Sequence, residues 1–255
     1  MKGVYSSCLS VVLLCLLISC GNKSEKKNNK GDFISIFNGQ NLDGWEGDPT
    51  YWRVEDGILT GEVTPETILK RNSFIIYKKE QPENFELKLE YRITESGNSG
   101  INYRSEIMEG LPFALRGYQC DIDGKNKYTG QNYEEKKRTT LAYMGETVTI
   151  PKMPDSIPKT NIRKNVKKNC WQTRLVSDTL GTKEQLKSHI KSDEWNLVHI
   201  KVVGNRMQHF VNGVLMSEVT DLDTINKTLK GFIGVQVHVG PPMKVAYKNI
   251  LLKHL

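Results

Sequence analysis

The segment from Gly234 to Gly240 (GVQVHVG) carries chemically useful side chains on one face of a predicted strand. Successive side chains of a strand point to opposite faces, so the three valines share one face and Gln236 and His238 share the other. An imidazole can take up or release a proton near neutral pH, and an amide both donates and accepts hydrogen bonds. The segment is therefore either an ordinary solvated strand or one wall of a polar cleft.

Two further segments, residues 97–104 (GNSGINYR) and 117–123 (GYQCDID), have the same character. Planar amide, guanidinium and carboxylate groups form directional hydrogen bonds of the kind that recognise sugar hydroxyls and carbonyls. We predict that the three segments line one concave polar cleft. Periodicity alone does not show that they are neighbours, so a scattered solvated face stays open as the alternative. The polar faces carry Asn102 and Arg104 in the first segment and Gln119, Asp121 and Asp123 in the second.

Each of these residues also has a simpler interpretation. A single histidine such as His238 is more often structural than catalytic, and His199 and His209 are interpreted as packing or surface residues. Asp121 and Asp123 can bind a divalent cation with help from carbonyl groups, but no third ligand is evident nearby.

Glu86 and Glu90 share a strand face and resemble the carboxylate pair of a glycosidase. Lys88 lies between them on the same face, which favours a solvated surface instead.

The elements that must position these residues are short strands. Residues 84–93 alternate between apolar and charged side chains, residues 51–62 form a hairpin around an Asp-Gly turn, and residues 195–219 form a three-stranded meander. This pattern predicts an all-β sandwich. One short helix of about two turns is predicted after Thr182, with Gln185 completing a capping box. Residues 147–170 are expected to form a long surface excursion, a kind of segment that often borders a functional site.

The amino terminus has the features of a bacterial lipoprotein signal. Lys2 precedes an apolar run at residues 9–18, which is shorter than the roughly 20 residues of a membrane-spanning helix. The run ends in LISC, which resembles a lipobox and implies cleavage before Cys20 and lipidation of that residue. We therefore expect a signal peptide at residues 1–19, a lipidated Cys20 with a flexible tether to residue 31, and one domain at residues 32–255.

The charge and cysteine content narrow the classes of partner. The formal charge is +7, of which Lys2 supplies +1 and the tether +3, so the body carries only +3. This charge, with no basic stripe, argues against a nucleic-acid partner.

Of the five cysteines, Cys120 and Cys170 remain in the body. We favour two buried free thiols, although the two can pair in an oxidising periplasm.

Seven motifs in the body, taken together, resemble the 3-keto-disaccharide hydrolase family, also known as domain of unknown function 1080. The resemblance implies a concanavalin A-like jelly roll of two antiparallel sheets and a bacterial protein that is either secreted or anchored by lipid in the cell envelope. The tether lacks the acidic cluster of surface-exported lipoproteins, which favours the periplasmic face. The motifs are NGQNLDGW, YWRVEDGILTGE, NFELKLEYRITESGNSGINYRSE, GYQCDID, YTGQNYEE with Arg138, EWNLVHIKVVGNRMQHFVNGVLMSEVTD and GFIGVQVHVGPPMKVAYKNI.

The resemblance also implies a substrate oxidised to a ketone at sugar carbon 3. Such a ketone acidifies the C2 proton, so a base can remove it, the aglycone can leave, and water can add back. We expect His238 or Asp121 to be the base and Arg104 to hold the charge that develops on the ketone oxygen, a role that a divalent cation can share. The expected substrate-binding residues are Asn98, Ser99, Gln119 and Gln236, with Glu135 and Arg138 closing over the sugar.

Two other functions are compatible with a jelly roll. A non-catalytic carbohydrate-binding module would need an exposed aromatic platform, for which the four tryptophans are candidates. A laminarinase-like glycosidase would need a tight acidic cluster of the E-x-D-x-x-E type, which the sequence lacks. The identity of the sugar and aglycone and the oligomeric state stay open at this stage.

Overall fold

A computed structural model describes Met1, Gly3 and residues 31–167 and 173–255. The predicted signal peptide, the lipidation site Cys20 and Cys170 lie outside the described residues, whereas Cys120 is buried with a free thiol. Within the described ranges, no helix is long and apolar enough to cross a membrane.

Seventeen strands account for most of the regular structure in the described residues. In chain order they are β1 (Ile34–Ser35), β2 (Trp45–Glu46), β3 (Trp52–Glu55), β4 (Ile58–Val63), β5 (Ser73–Tyr77), β6 (Phe85–Ile93), β7 (Asn98–Ile107), β8 (Leu115–Asp123), β9 (Asn132–Glu135), β10 (Thr139–Ala142), β11 (Glu146–Ile150), β12 (Leu175–Thr179), β13 (Asn196–Val203), β14 (Arg206–Val211), β15 (Val214–Asp221), β16 (Phe232–Val237) and β17 (Met243–His254).

The strands form two sheets that enclose one main hydrophobic core. The larger sheet has the order β12-β11-β15-β14-β13-β6-β17-β4-β3, with β1 added alongside β17, and the smaller has the order β10-β9-β8-β7-β16-β5-β2. All pairs are antiparallel except β11 with β15. The predicted all-β jelly-roll sandwich is therefore confirmed.

The predicted strands form where alternation is regular. In β6, every apolar residue from Phe85 to Ile93 faces the core, while Glu86 and Glu90 lie on the outer face with charged partners. Asp56 and Gly57 both have positive φ angles, 49° and 81°, as a tight hairpin turn requires. The meander prediction is also confirmed, because β13, β14 and β15 are consecutive antiparallel neighbours.

Two histidines outside the cleft have structural surroundings. His199 contacts Glu86 at 2.8 Å on the outer face of the larger sheet. His209 is fully buried, with its Nε2 atom 2.8 Å from the hydroxyl of Tyr103, and burial lowers its pKa to about 4. The interpretation of both residues as packing or surface histidines is confirmed.

The helical prediction was only partly right. The helix after Thr182 exists and has the predicted capping box with Gln185, but it is a single turn at Lys183–Lys187. A second helix, Ile162–Lys167, was not predicted, and a 3-10 turn occupies Pro65–Thr67. We number the two helices α1 (Ile162–Lys167) and α2 (Lys183–Lys187). The predicted excursion begins later than expected, because residues 147–150 belong to β11 and pair with β15.

Candidate active site

The three polar segments identified in the sequence are adjacent strands of the smaller sheet. β8 pairs with β7, and β7 pairs with β16. Their apolar residues, including Ile101, Cys120 and Val235, are buried in the main core, so the alternate residues lie on the opposite face. The prediction that these segments are neighbours is confirmed.

A polar cavity of about 260 Å³ lies on this face. We call it the cleft. Polar side chains from five strands or their ends, from two loops and from α1 converge on it, an arrangement suited to a ligand that carries several hydrogen-bonding groups. Its lining residues are Asn72, Asn98, Gln119, Asp121, Tyr128, Gln131, Tyr133, Glu135, Thr140, Arg163 and His238.

Asp121 is a buried carboxyl group held between two amides. Gln119 Nε2 donates to its Oδ1 atom at 2.6 Å, and Gln131 Nε2 donates to its Oδ2 atom at 2.5 Å. Burial raises the pKa of Asp121 to about 7, although the two amide hydrogen bonds oppose this shift. The carboxyl group can therefore gain or lose a proton near neutral pH while its orientation stays fixed.

His238 lies just beyond the end of β16, half-buried at the wall of the cleft. Its Nδ1 atom is 2.6 Å from the carbonyl oxygen of Val239, so Nδ1 carries the proton and donates to that oxygen. The backbone N–H of Val239 in turn donates to Asn72 Oδ1 at 3.0 Å. This arrangement leaves Nε2 of His238 available for proton exchange with a ligand.

Arg163 brings a positive charge to the cleft from α1. It donates from Nη2 to the hydroxyl of Tyr133 at 3.2 Å. Burial raises the pKa of Tyr133, and the neighbouring Arg163 charge opposes that change. Glu135 lies two residues after Tyr133 in β9. It is buried and also lines the cleft.

Gly100 provides the space that Gln119 occupies. A Cβ atom placed on Gly100 would lie 2.3 Å from Gln119 Nε2, which is far inside van der Waals contact. The missing side chain on β7 therefore lets Gln119 lie flat across the sheet and reach Asp121.

Gln236 lies on the cleft face of β16 but is completely buried. Both polar atoms of its amide lack a hydrogen-bond partner among the described residues, as does Asn102 Oδ1 on the neighbouring strand. Gln236 is not part of the cleft lining, so its predicted role in gripping a sugar hydroxyl has no direct geometric support. Asn98, by contrast, does line the cleft as predicted.

The structure does not place Arg104 among the residues that line the cleft, contrary to prediction. Pairing between β7 and β8 shifts after Tyr103, and Arg104 itself has a positive φ of 45°. The bulge breaks the alternation on which the prediction depended. The guanidinium instead donates to the backbone carbonyls of Glu83, at 2.6 and 3.0 Å, and Gly204, at 2.7 Å.

Arg138 and Ser99 also lie away from the cleft, contrary to prediction. Arg138 is fully buried in an ion cluster with Glu134, Asp221 and Asp223 at distances of 2.5, 2.6 and 3.3 Å. The hydroxyl of Ser99 lies on the core side, within 2.6 Å of the Tyr247 hydroxyl. Neither side chain lines the cleft.

The structure does not bring Asp121 and Asp123 together as cation ligands. The carboxylate of Asp123 instead accepts hydrogen bonds from the backbone N–H groups of residues 127, 128 and 129 and organises that loop. Across residues 31–167 and 173–255, no three His, Cys, Asp or Glu side chains come together in a way that could hold a metal.

An aromatic platform of tryptophans is not present in the described part of the cleft. Trp45 and Trp52 are buried in the core. Trp195 precedes β13 of the other sheet, and the cationic groups of Lys248 and Arg92 make cation–π contacts with its ring. The aromatic residues that do line the cleft are Tyr128 and Tyr133.

Sequence reasoning missed several lining residues because they come from loops. Gln131 and Tyr128 belong to the connection between β8 and β9, Asn72 precedes β5, and Arg163 lies in the surface excursion. The only available signal was the length of that excursion, which suggested a border of a functional site.

The fold and the site together define an all-β jelly-roll protein with a polar ligand cleft on one sheet. The chain belongs to the family described as "3-keto-alpha-glucoside-1,2-lyase-like domain", whose family model matches residues 32–253. A 3-keto-disaccharide hydrolase from Bacteroides thetaiotaomicron is 32% identical over 81 residues. That match covers 29% of this chain and only 28% of the relative.

Solved structures support the fold assignment. A protein from Parabacteroides distasonis ATCC 8503, described as a candidate glycosyl hydrolase, aligns with a TM-score of 0.54 and 18% identity, covering 88% of this chain and 100% of that chain. The carbohydrate-binding module CBM66 from Bacillus subtilis aligns with a TM-score of 0.50 and 12% identity, covering 82% and 95%. At these identities the similarity establishes the fold alone.

Proposed function

We propose that this protein cleaves the glycosidic bond of 3-keto-glycosides by elimination followed by addition of water. The observation that carries the proposal is the buried Asp121 carboxyl, whose pKa is raised to about 7, in the cleft of a chain from the 3-keto-alpha-glucoside-1,2-lyase-like family. The lyase chemistry in that description corresponds to the elimination half of the reaction.

The reaction uses the acidity that a ketone gives to the neighbouring carbon. Removal of the C2 proton forms an enolate on the C3 oxygen. The enolate then expels the aglycone from C1, which breaks the glycosidic bond and leaves a C1=C2 double bond conjugated with the ketone. Water adds its oxygen to C1 and a proton returns to C2, so the net change is hydrolysis.

Asp121 is the base in this scheme. A base whose pKa lies near the working pH combines a high ionised fraction with a high proton affinity. Gln119 and Gln131 fix the plane of the carboxylate, so its remaining lone pairs keep one direction relative to the substrate. Asp121 exchanges the proton that it takes from C2 with solvent, and it delivers a solvent-derived proton to C2 in the second half of the reaction.

His238 handles the second proton. In its protonated form, Nδ1 donates to the Val239 carbonyl and Nε2 donates to the departing aglycone oxygen. The neutral imidazole that results takes a proton from the water that adds to C1. Both groups thus return to their starting protonation states after one turnover.

Arg163 replaces Arg104 as the group that stabilises the enolate. It is a cationic residue in the cleft lining, and the Tyr133 hydroxyl fixes one of its nitrogens. A positive charge near the C3 oxygen lowers the energy of the enolate in a site partly shielded from water. Asn98 and Glu135 line the cleft, which supports assigning them to bind sugar hydroxyls. The scheme uses no metal ion.

The expectation of a lipid anchor at Cys20 and a periplasm-facing location in the cell envelope forms part of the proposal. Labelling the protein with a radioactive fatty acid in a bacterial host tests this point. A Cys20→Ser variant that still incorporates the label would contradict it.

The decisive experiment offers the purified protein a 3-keto-glucoside with a nitrophenyl aglycone, with the unoxidised glucoside as control. The reaction is run in heavy water, and the released sugar is examined for deuterium at C2, with product incubated without enzyme as the blank. We expect release from the 3-keto substrate alone, deuterium at C2 above the blank, and loss of both in Asp121→Asn but not in the exposed control Asp178→Asn. Equal release from both glucosides without C2 deuterium would exclude the elimination route. Saturable sugar binding without release would favour a carbohydrate-binding module.

A further inference from the structure

A second cavity, of about 880 Å³, lies beside the cleft. We call it the basic cavity, because cationic side chains dominate its lining and no carboxylate of the described chain contributes to it. The lining residues are Arg116, Lys136, Lys137, Lys159, Asn161, Ile162, Arg163, Lys164 and Lys167.

Several of these cations have no acidic partner among the residues that the structure describes. Within the described ranges, Lys159, Lys164 and Lys167 form no ion pair, and all three are exposed. Like charges that line a concave surface repel one another and together create a strong positive potential. Such a potential attracts anions to the cavity.

Other members of the basic cavity are already neutralised and hold its walls in place. Arg116 pairs with Glu106 at 2.9 Å, and Lys137 approaches Glu134 at 3.5 Å. The unpaired charge is therefore concentrated on α1 and on the segment that precedes it.

The basic cavity and the cleft adjoin each other. Arg163 lines both of them. Lys136 of the basic cavity also lies 3.8 Å from Glu135 of the cleft. A molecule longer than the cleft would therefore meet the cations of the basic cavity on the side of the cleft where Arg163 and Glu135 lie.

We propose that the basic cavity is a subsite for an anionic substituent on the part of the substrate that extends beyond the cleft. This inference rests on the proposed function, because it concerns the leaving group of the same reaction. The cleft, at about 260 Å³, is smaller than the roughly 300 to 1,000 Å³ of typical ligand pockets, so it suits one sugar ring. The second unit of a disaccharide must then lie outside it, where the cations are.

The chemistry of the lining identifies the substituent as a sulfate, phosphate or carboxylate group. Lysine ammonium groups act as point charges for such anions, and an arginine can bind two of their oxygens at once. A concave cavity joined to a sugar cleft fits an acidic carbohydrate better than the flat surface of a membrane.

The test measures binding by calorimetry and does not depend on turnover. The purified full-length protein is titrated with a heparin-derived tetrasaccharide and with neutral maltotetraose. We expect the sulfated ligand to bind at least tenfold more tightly than the neutral one. The double variant Lys159→Gln/Lys164→Gln should lose at least fivefold in affinity for it, whereas the control Lys191→Gln/Lys230→Gln, with two exposed lysines outside the basic cavity, should change less than twofold.

Two further arms separate the possible failures. Turnover of the neutral nitrophenyl 3-keto-glucoside by the Lys159→Gln/Lys164→Gln variant should stay within twofold of the wild type. If the wild type does not turn this substrate over, the proposed function fails while the binding result still stands. Equal affinity losses in both double variants would overturn the anion subsite. Lysine-dependent binding to phosphatidylglycerol vesicles without binding to the tetrasaccharide would overturn it in favour of a lipid surface.

Discussion

Gln131 Nε2 donates a 2.5 Å hydrogen bond to Oδ2 of Asp121, across the turn that joins β8 to β9. The contact links a loop residue to the buried carboxyl on the floor of the cleft, and it favours the ionised form of that carboxyl. Together with Gln119 on the other side, it limits how far burial raises the pKa of Asp121. The acidity of the proposed base is therefore adjustable through residues that do not react.

The first prediction concerns the pH dependence of the rate. Because Asp121 must be ionised to accept the C2 proton, kcat/KM for a 3-keto-glucoside should rise with pH through the pKa of about 7. Gln131→Leu removes a hydrogen bond that lowers this pKa, so the rising limb should move to higher pH. A series of rate measurements from pH 5 to 9 checks both statements. Gln208→Leu, which removes an amide donor from Glu218 outside the cleft, should leave the limb unchanged. A limb that stays in place in Gln131→Leu would contradict the assignment of Asp121.

The second prediction concerns the free energy of unfolding, to which the titration of Asp121 should contribute less as pH rises. The folded pKa of Asp121, about 7, lies above the value of about 3.9 for an unfolded chain. The folded state therefore binds the extra proton, and stability from this group is lost as pH rises through 7. Asp121→Asn removes the titration, so its stability relative to wild type should increase by about 3 kcal/mol between pH 5 and pH 8.

Urea denaturation at the two pH values measures this difference. The comparison must use the variant minus the wild type, because His209 acts in the opposite direction. The pKa of His209 is lowered to about 4, so its contribution is lost as pH falls below its unfolded value. The prediction fails if Asp121→Asn is equally stabilised at both pH values.

The third prediction separates the two proton transfers. His238→Gln keeps a hydrogen-bonding side chain but cannot protonate the leaving oxygen. Loss of general acid catalysis typically costs about 10² to 10⁴ in rate, which we expect for a 3-keto-glucoside with an alkyl aglycone. A nitrophenolate leaves without a proton, so the same variant should lose much less activity on the nitrophenyl substrate. Equal losses on the two substrates would show that His238 does not act as the acid.

The fourth prediction concerns the buried ion cluster around Arg138. Its guanidinium contacts Glu134 and Asp221 at 2.5 and 2.6 Å with no solvent access. Removing one member of such a cluster leaves uncompensated buried charge, so Arg138→Met should destabilise the fold by about 3 to 5 kcal/mol. Chemical denaturation measures this loss, and the exposed Arg116→Met serves as the control with a change below about 1 kcal/mol. Because Arg138 does not line the cleft, the folded fraction of the variant should keep its kcat. A stable variant that has lost activity would restore the earlier expectation that Arg138 serves the substrate.

Much of the fold and part of the site could be predicted from local pattern. Alternation identified β6, the hairpin and the meander, because those strands have one face in the core and one outside. The same rule brought Asn98, Gln119, Asp121 and His238 to one cleft. The alternation rule also excludes Ser99 from the cleft. Ser99 directly follows Asn98 in β7, so its side chain lies on the core side with Ile101.

The remaining residues depend on geometry that short-range pattern does not contain. A bulge at Arg104 reverses the direction of that side chain. Arg138 follows a turn, and its direction is set by acids more than 80 positions away, at Asp221 and Asp223. Arg163 reaches the cleft from a helix that the sequence did not predict.

Gly100 on β7 is the cross-strand partner of Asp121 on β8, so the side chain that it lacks affects the reactivity of the neighbouring strand. Because a single methyl group at this position would overlap Gln119, Gly100→Ala would push that amide off Asp121 and weaken its hold on the ionised form. The proton affinity of the carboxyl would then increase, although the added methyl group carries no charge and forms no hydrogen bond. The acidity of the proposed base thus depends partly on the absence of a side chain at Gly100.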